Sequence, residues 1–236
     1  MRRIREATKS HRLFEGTRLE VDLIMSWMNN SSPVNSISTL RRFMRRRVAE
    51  EVCELCSSPL GPGHHHLVAI KEHKIICACD PCAVLFDNQA QRGYKRIGNR
   101  VRRLSDFQMS DAQWDSLMIP INLAFFFHDS LAGRVIAVYP SPAGAVESLL
   151  DLDSWNQIEG ENPALKEMQP DVEAALVNRV KGARDVFVVP IDVCYKLVGL
   201  IRSHWRGLSG GSEVWQQVES LFAELTESSK TPVRQR

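Results

Sequence analysis

An α+β fold is what the sequence predicts, with a small four-cysteine module ahead of an antiparallel sheet packed with helices. Three observations predict it. Two CxxC pairs lie close together in the N-terminal part of the chain. Paired apolar runs between residues 121 and 189, each pair split by turn residues, are the mark of hairpins. Two stretches of helical periodicity then close the chain, so strands and helices are grouped and do not alternate as βαβ units.

Bulk properties agree with a folded, water-facing protein. A chain of 236 residues that is 44% hydrophobic and 25% charged can bury a core without disulfides. A net charge of +2 points to no class of partner. The N-terminal region carries basic residues but no continuous apolar segment of the kind a secretory signal has, and no run of eighteen apolar residues occurs. A cytoplasmic protein with reduced thiols is therefore expected, with no membrane span.

Four segments are expected. Residues 1–35 read as a flexible tail with scattered arginines, ending in Asn29, Asn30, Ser31, Ser32 and Pro33, although 20–28 has the pattern of a short helix. Residues 36–105 combine a basic helix with the cysteine module. Ser36 or Ser38 is placed to cap that helix, with Ile37, Leu40, Met44 and Val48 on one stripe and Arg41, Arg42, Arg45, Arg46 and Arg47 around it. Strands are expected at 66–70 and 74–77. A helix capped by Asp80 follows, with Pro81 at its first position.

Residues 106–228 form the expected α+β domain. Ser110 and Gln113 have capping-box spacing. Runs 121–128 and 134–139 predict a hairpin with Phe125, Phe126 and Phe127 partly in the core, and 154–158 a helix. Runs 172–180 and 185–189 predict a second strand pair. Asp192 is expected to cap a helix whose stripe is Cys194, Leu197, Val198, Ile201 and Trp205. Ser212 is expected to cap another carrying Val214, Val218, Leu221, Phe222 and Leu225. The glycines of 207–211 separate them as a hinge, and residues 229–236 read as a flexible tail.

The chemistry concentrates in the cysteines. Cys53 and Cys56 precede Cys79 and Cys82 by a spacer long enough for a hairpin to return the chain. Each CxxC presents two sulfurs on one side of a tight turn, and two such turns make a tetrahedral sulfur cage with Zn–S bonds of roughly 2.3 Å. The spacing is zinc-ribbon-like, and zinc is the expected ion, bound structurally. Iron is the alternative, in a rubredoxin-like electron carrier. Rubredoxin-type knuckles put glycine after the second cysteine, whereas Ser57 and Ala83 stand there. Cys77 is an alternate ligand, because on a strand it shares a face with Cys79.

Other features suggest less. His64 and His66 share a face of an extended chain and, with His73, could form a second site, but a solvated loop is the favoured reading. Cys194, alone on a helix, reads as a buried structural thiol. No GxGxxG or phosphate-loop motif is present, so no catalytic residue is assigned and a non-enzyme is favoured. Arg41 to Arg47 could meet phosphates, yet the region lacks interleaved aromatics. A nucleic-acid partner is disfavoured and stays open.

The chain also resembles a known family. The residues that carry the likeness are the two CxxC pairs, Ile119-Pro120, Phe125 to Phe127, the run Tyr139-Pro140-Ser141-Pro142-Ala143-Gly144, Val189-Pro190-Ile191-Asp192, and the run from His204 to Gly211. Together they resemble an uncharacterised bacterial family, a domain of unknown function, over roughly residues 45 to 225. Members of that family are often encoded near nickel–iron uptake hydrogenase genes. The resemblance therefore implies an accessory protein whose partner is a hydrogenase subunit or maturation factor. It assigns no residue a role.

Overall fold

The computed structural model describes residues 51–87, 93–148, 152–207 and 209–230. All of them fall within one compact unit, Glu50–Arg236. The expected helices at 20–28 and 36–52, with the arginine cluster, lie outside the described residues, apart from Glu51 and Val52.

The architecture is α+β with two antiparallel sheets. The smaller holds β1 (His65–Ala69), β2 (Lys74–Ala78) and β3 (Tyr94–Arg96) in the order β2-β1-β3. The larger holds β4 (Arg102–Arg103), β5 (Leu123–Asp129), β6 (Arg134–Ser141), β7 (Gly144–Ser148), β8 (Glu173–Asn178) and β9 (Asp185–Pro190). Its order is β4-β9-β8-β5-β6-β7, every pairing antiparallel. The described α-helices are α1 (Asp80–Phe86), α2 (Asp111–Ser116), α3 (Leu152–Glu161), α4 (Ile191–His204) and α5 (Gly211–Lys230).

The central strands of the large sheet are apolar on both faces because both faces are covered. Phe125, Phe127, Leu176 and Phe187 point to one side. There they pack with Leu197 and Ile201 of α4 and with Val218, Leu221 and Phe222 of α5. Ala124, Phe126, Val177 and Val188 point to the other, against Trp114, Trp155, Ile158 and Leu165. The three consecutive phenylalanines are thus all buried, not partly so, since alternation sends them into two different cores. Phe126 stacks on Trp155 with ring centroids 4.6 Å apart.

The small sheet is two-sided as well. Leu67, Ala69, Ile76 and Ala78 share a core with Cys53, Cys82 and Ala83. On its opposite face Val68 and Ile75 join the core of the large sheet, as does Ile97 just beyond β3. That division places the two groups of potential ligands described below on opposite faces of one hairpin.

Three helix starts differ from expectation. Asp80 is the first residue of α1, and Cys79 occupies the N-cap. Asp192 lies inside α4 behind an N-cap at Pro190, so its carboxylate is free to bond elsewhere. Ser212 lies inside α5, which begins at Gly211 and continues to Lys230; residues 231–236 are outside the described residues. The capping box of Ser110 and Gln113 forms as its spacing predicts. Strands β3, β4 and β7 add to those expected. The turn before α5 needs glycine. Gly210 has φ +87°, and a Cβ there would lie 2.9 Å from Val214 Cγ1 and 3.0 Å from the Trp205 ring.

Candidate metal centre

The first CxxC is a tight turn hung on the edge of the small sheet. Val52 bridges Pro59, the Cys53 amide donates to the Ser58 carbonyl at 2.8 Å, and the Ser57 amide donates to the Cys53 carbonyl at 2.7 Å. Ser57 completes the turn at φ 62°, in the left-handed region that glycine usually supplies. Serine therefore does what the missing glycine was expected to do.

The second CxxC is the start of a helix. Cys79 leaves β2 in extended conformation as the N-cap of α1, and its carbonyl accepts from the Ala83 amide at 2.8 Å. Pro81 in the first turn is tolerated because an amide there has no partner within the helix. Cys82 then comes one turn along, on the side of Cys79 that faces the first knuckle.

These turns bring the four sulfurs of Cys53, Cys56, Cys79 and Cys82 within 4.8 Å of one another. Cys56 and Cys79 are already 3.6 Å apart, close to the sulfur separation of about 3.8 Å on a tetrahedral zinc ion. Cys53 and Cys82 are buried, Cys79 is half-buried and Cys56 is exposed. The thiols are all unpaired in the disulfide sense. Such a set could hold a metal ion.

The electrostatics of the set are uneven. Burial opposes ionisation of Cys53, but donated amides from Cys79, Leu55 and Cys56 outweigh it and bring the thiol down to about 6. The Ser58 hydroxyl and amide lower Cys56. Burial, then the neighbouring thiols of Cys56, Cys79 and Cys53, push Cys82 up to about 12. The Cys82 amide favours the Cys79 thiolate, yet burial and Cys56 together raise that thiol. The protein alone therefore supports ionisation of part of the set. Full ionisation needs a cation to offset the crowded negative charge.

Cys77 is not in this group. The Glu54 amide donates to its carbonyl at 2.9 Å, and its own amide donates to Glu54 Oε1 at 3.1 Å. Its side chain lies on the other face, grouped with His64 and His66. The expected sharing of a face with Cys79 fails because the strand ends at Ala78 and Cys79 already turns toward the helix. His73 also departs from the expected histidine group: its Nε2 lies 3.0 Å from Asp129 Oδ2. His65 points away from His64 and His66, toward Arg96 and Asp80.

The remaining candidates are placed apart from the cysteines. Cys194 is fully buried in the core between the large sheet and α4, and burial pushes its thiol well up, which leaves it inert. His128 pairs with Glu159, and His204 lies against Ser203 and the Leu200 carbonyl. No described helix is long and apolar enough to cross a membrane.

Fold and site together define an α+β protein with antiparallel sheets and a cluster of four cysteines able to hold a metal ion. The chain belongs to the family of unknown function DUF5947, whose model matches residues 52–229. No match was found among curated proteins, nor among solved structures.

Proposed function

We propose that Cys53, Cys56, Cys79 and Cys82 bind one zinc ion as a closed structural site, in a protein that serves others as an accessory or interaction component. The single observation that carries this reading is the convergence of four sulfurs from two knuckles within 4.8 Å. Four thiolates fill a tetrahedral coordination shell and leave no position for substrate, which is the pattern of a structural site. In this reading the ion holds the two knuckles of the cysteine module together, and its binding free energy contributes to folding.

The test is elemental analysis with thermal melting. Protein purified from zinc-containing medium is expected to carry zinc, and Cys56→Ser or Cys82→Ser to lose that ion and melt at lower temperature. Full zinc occupancy with unchanged melting in both variants rejects the assignment.

For the partner, the resemblance noted above supports a nickel–iron hydrogenase subunit or a factor that matures it. Co-purification with a tagged hydrogenase subunit, lost on removal of this chain's metal, is the expected result. Failure of the two proteins to associate rejects that partner.

A second reading keeps the same four sulfurs and replaces zinc by iron in an electron carrier. Ser57 at φ 62° removes the objection that the absent glycine raised at the first knuckle, whereas Ala83 of the second knuckle lies within α1. Visible absorption of protein purified without oxygen decides between the two. Colour that bleaches on reduction supports iron, and a colourless protein with zinc supports the first reading.

A further inference from the structure

The histidines and the cysteine that lie outside the sulfur cage form a second group of their own. His66 and Cys77 are direct cross-strand partners in the β1–β2 pair, so their side chains leave the sheet on one face. His64 is two residues before His66, just ahead of β1, and is grouped with both. One ligand atom from each of the three lies within 4.8 Å of the others. The two imidazoles meet edge to face, with centroids 4.9 Å apart.

Both rings are held so as to present the same nitrogen. The Nδ1 of His66 donates to Asp192 Oδ2 at 2.7 Å. The Nδ1 of His64 donates to the Gly61 carbonyl at 3.2 Å, with Glu51 Oε2 3.5 Å away. Each bond puts the proton on Nδ1 and leaves the lone pair of Nε2 outward. On His64 that Nε2 is buried with no hydrogen-bond partner. A buried, unpartnered nitrogen is costly unless something fills its place. A histidine whose far nitrogen donates to a carboxylate is also the usual arrangement around a metal.

We propose that His64 Nε2, His66 Nε2 and Cys77 Sγ form a second metal site, for a zinc-class divalent cation, with its fourth position open. Two imidazoles and a thiolate suit that ion. Ligand atoms on a tetrahedral ion stand about 3.3–3.8 Å apart, so a group already within 4.8 Å needs only a small closure when loaded. Three protein ligands with one vacant position distinguish this site from the saturated four-sulfur cage. His66 is 32% exposed, which gives an exogenous ligand a way in. Asp192 is a positioning residue: it reaches the ion only through the His66 ring. The proposal does not depend on which ion, if any, fills the four-cysteine cage.

The experiment uses the full chain, stripped of metal under reducing conditions and reloaded with zinc alone. Zinc is counted by elemental analysis, and its neighbours are read by X-ray absorption, in which imidazole gives a distinctive multiple-scattering pattern. Two zinc ions per chain, with imidazole scattering, are expected. Cys77→Ser and His64→Gln are expected to retain one ion and lose the imidazole pattern. Cys56→Ser is expected to lose the other ion and keep the pattern. Asp192→Asn is expected to weaken the imidazole-bound zinc by roughly 10- to 100-fold without changing the sulfur-bound one.

The unmutated protein decides the matter even where a variant fails to fold. Absence of imidazole scattering there overturns the second site. A single zinc whose imidazole pattern survives Cys56→Ser supports it and removes the four-cysteine assignment instead. A single zinc whose imidazole pattern vanishes with Cys56→Ser puts a histidine in the cage and overturns the second site.

Discussion

Glu54 holds Cys77 at two points, donating its backbone amide to the Cys77 carbonyl at 2.9 Å and accepting the Cys77 amide on Oε1 at 3.1 Å. The residue that follows the first cysteine thus ties the knuckle to β2. It satisfies the outer edge of that strand and leaves the Cys77 side chain on the far face.

Glu54→Ala removes the second of these bonds and the ion pair with Lys74. The Lys74–Glu54 pair is solvent-exposed, so the expected cost is only about 1 kcal/mol. For a chain of this size that is a melting temperature lower by about 2–4 °C. The knuckle is also expected to release its ion to a chelator faster than wild type. Thermal melting and chelator competition check the two effects.

Asp129 supplies a pH-dependent contribution. Burial disfavours its charge, but the amides of Ala132 and Leu131 and the nearby His73 ring outweigh that and hold its carboxyl below the ordinary value of 3.8. A lowered folded pKa stabilises the fold above the unfolded pKa, and the contribution fades as pH falls through the folded value. Asp129→Asn is expected to cost about 1–2 kcal/mol at pH 7 by weakening these bonds. The gap between variant and wild type should begin to narrow near pH 4, roughly the unfolded carboxyl value, and close only below the folded one. Denaturant titrations at pH 7 and in acid measure it; Glu147 is a second carboxylate near His73, at 4.0 Å.

Gly210→Ala tests the turn between α4 and α5. The substitution forces a side chain into φ +87° and against Val214 and Trp205, so a loss of about 1–3 kcal/mol is expected. Gly207, at φ +63° but with open space within 4 Å of where a Cβ would stand, should lose less on the same change. Equal losses at the two positions refute the steric part of this account.

Phe126→Ala empties the centre of the core beneath α3, where the ring stacks on Trp155. A loss of about 3–5 kcal/mol is expected from urea unfolding. Zinc stoichiometry should not change in the folded fraction, because Phe126 faces away from the small sheet's core.

Much of this arrangement can be read from residue order alone. The CxxC pairs and the intervening hairpin suffice to predict four converging sulfurs, because CxxC geometry is local and the spacer is long enough to turn back. Apolar runs locate β5, β6, β8 and β9 to within two residues at either end. Strands with little apolar content do not announce themselves. β7 contains no buried residue and exists through its hairpin with β6, and β4 is two arginines paired with the distant β9. Asp192 has the residue type of an N-cap, yet tertiary bonding to His66 uses its carboxylate elsewhere. Cys77 needed the strand register: only the pairing His66↔Cys77 shows which neighbours its thiol keeps.

β4 has a consequence for how copies of this chain meet. A long, bare outer strand offers a row of amides and carbonyls on which a foreign strand can grow. Here the rim beside β9 is two residues long, and each arginine is tethered to a carboxylate, Arg102 to Glu167 and Arg103 to Asp185. Polymerisation by strand addition finds almost no template on that side, and the paired charges keep the rim polar.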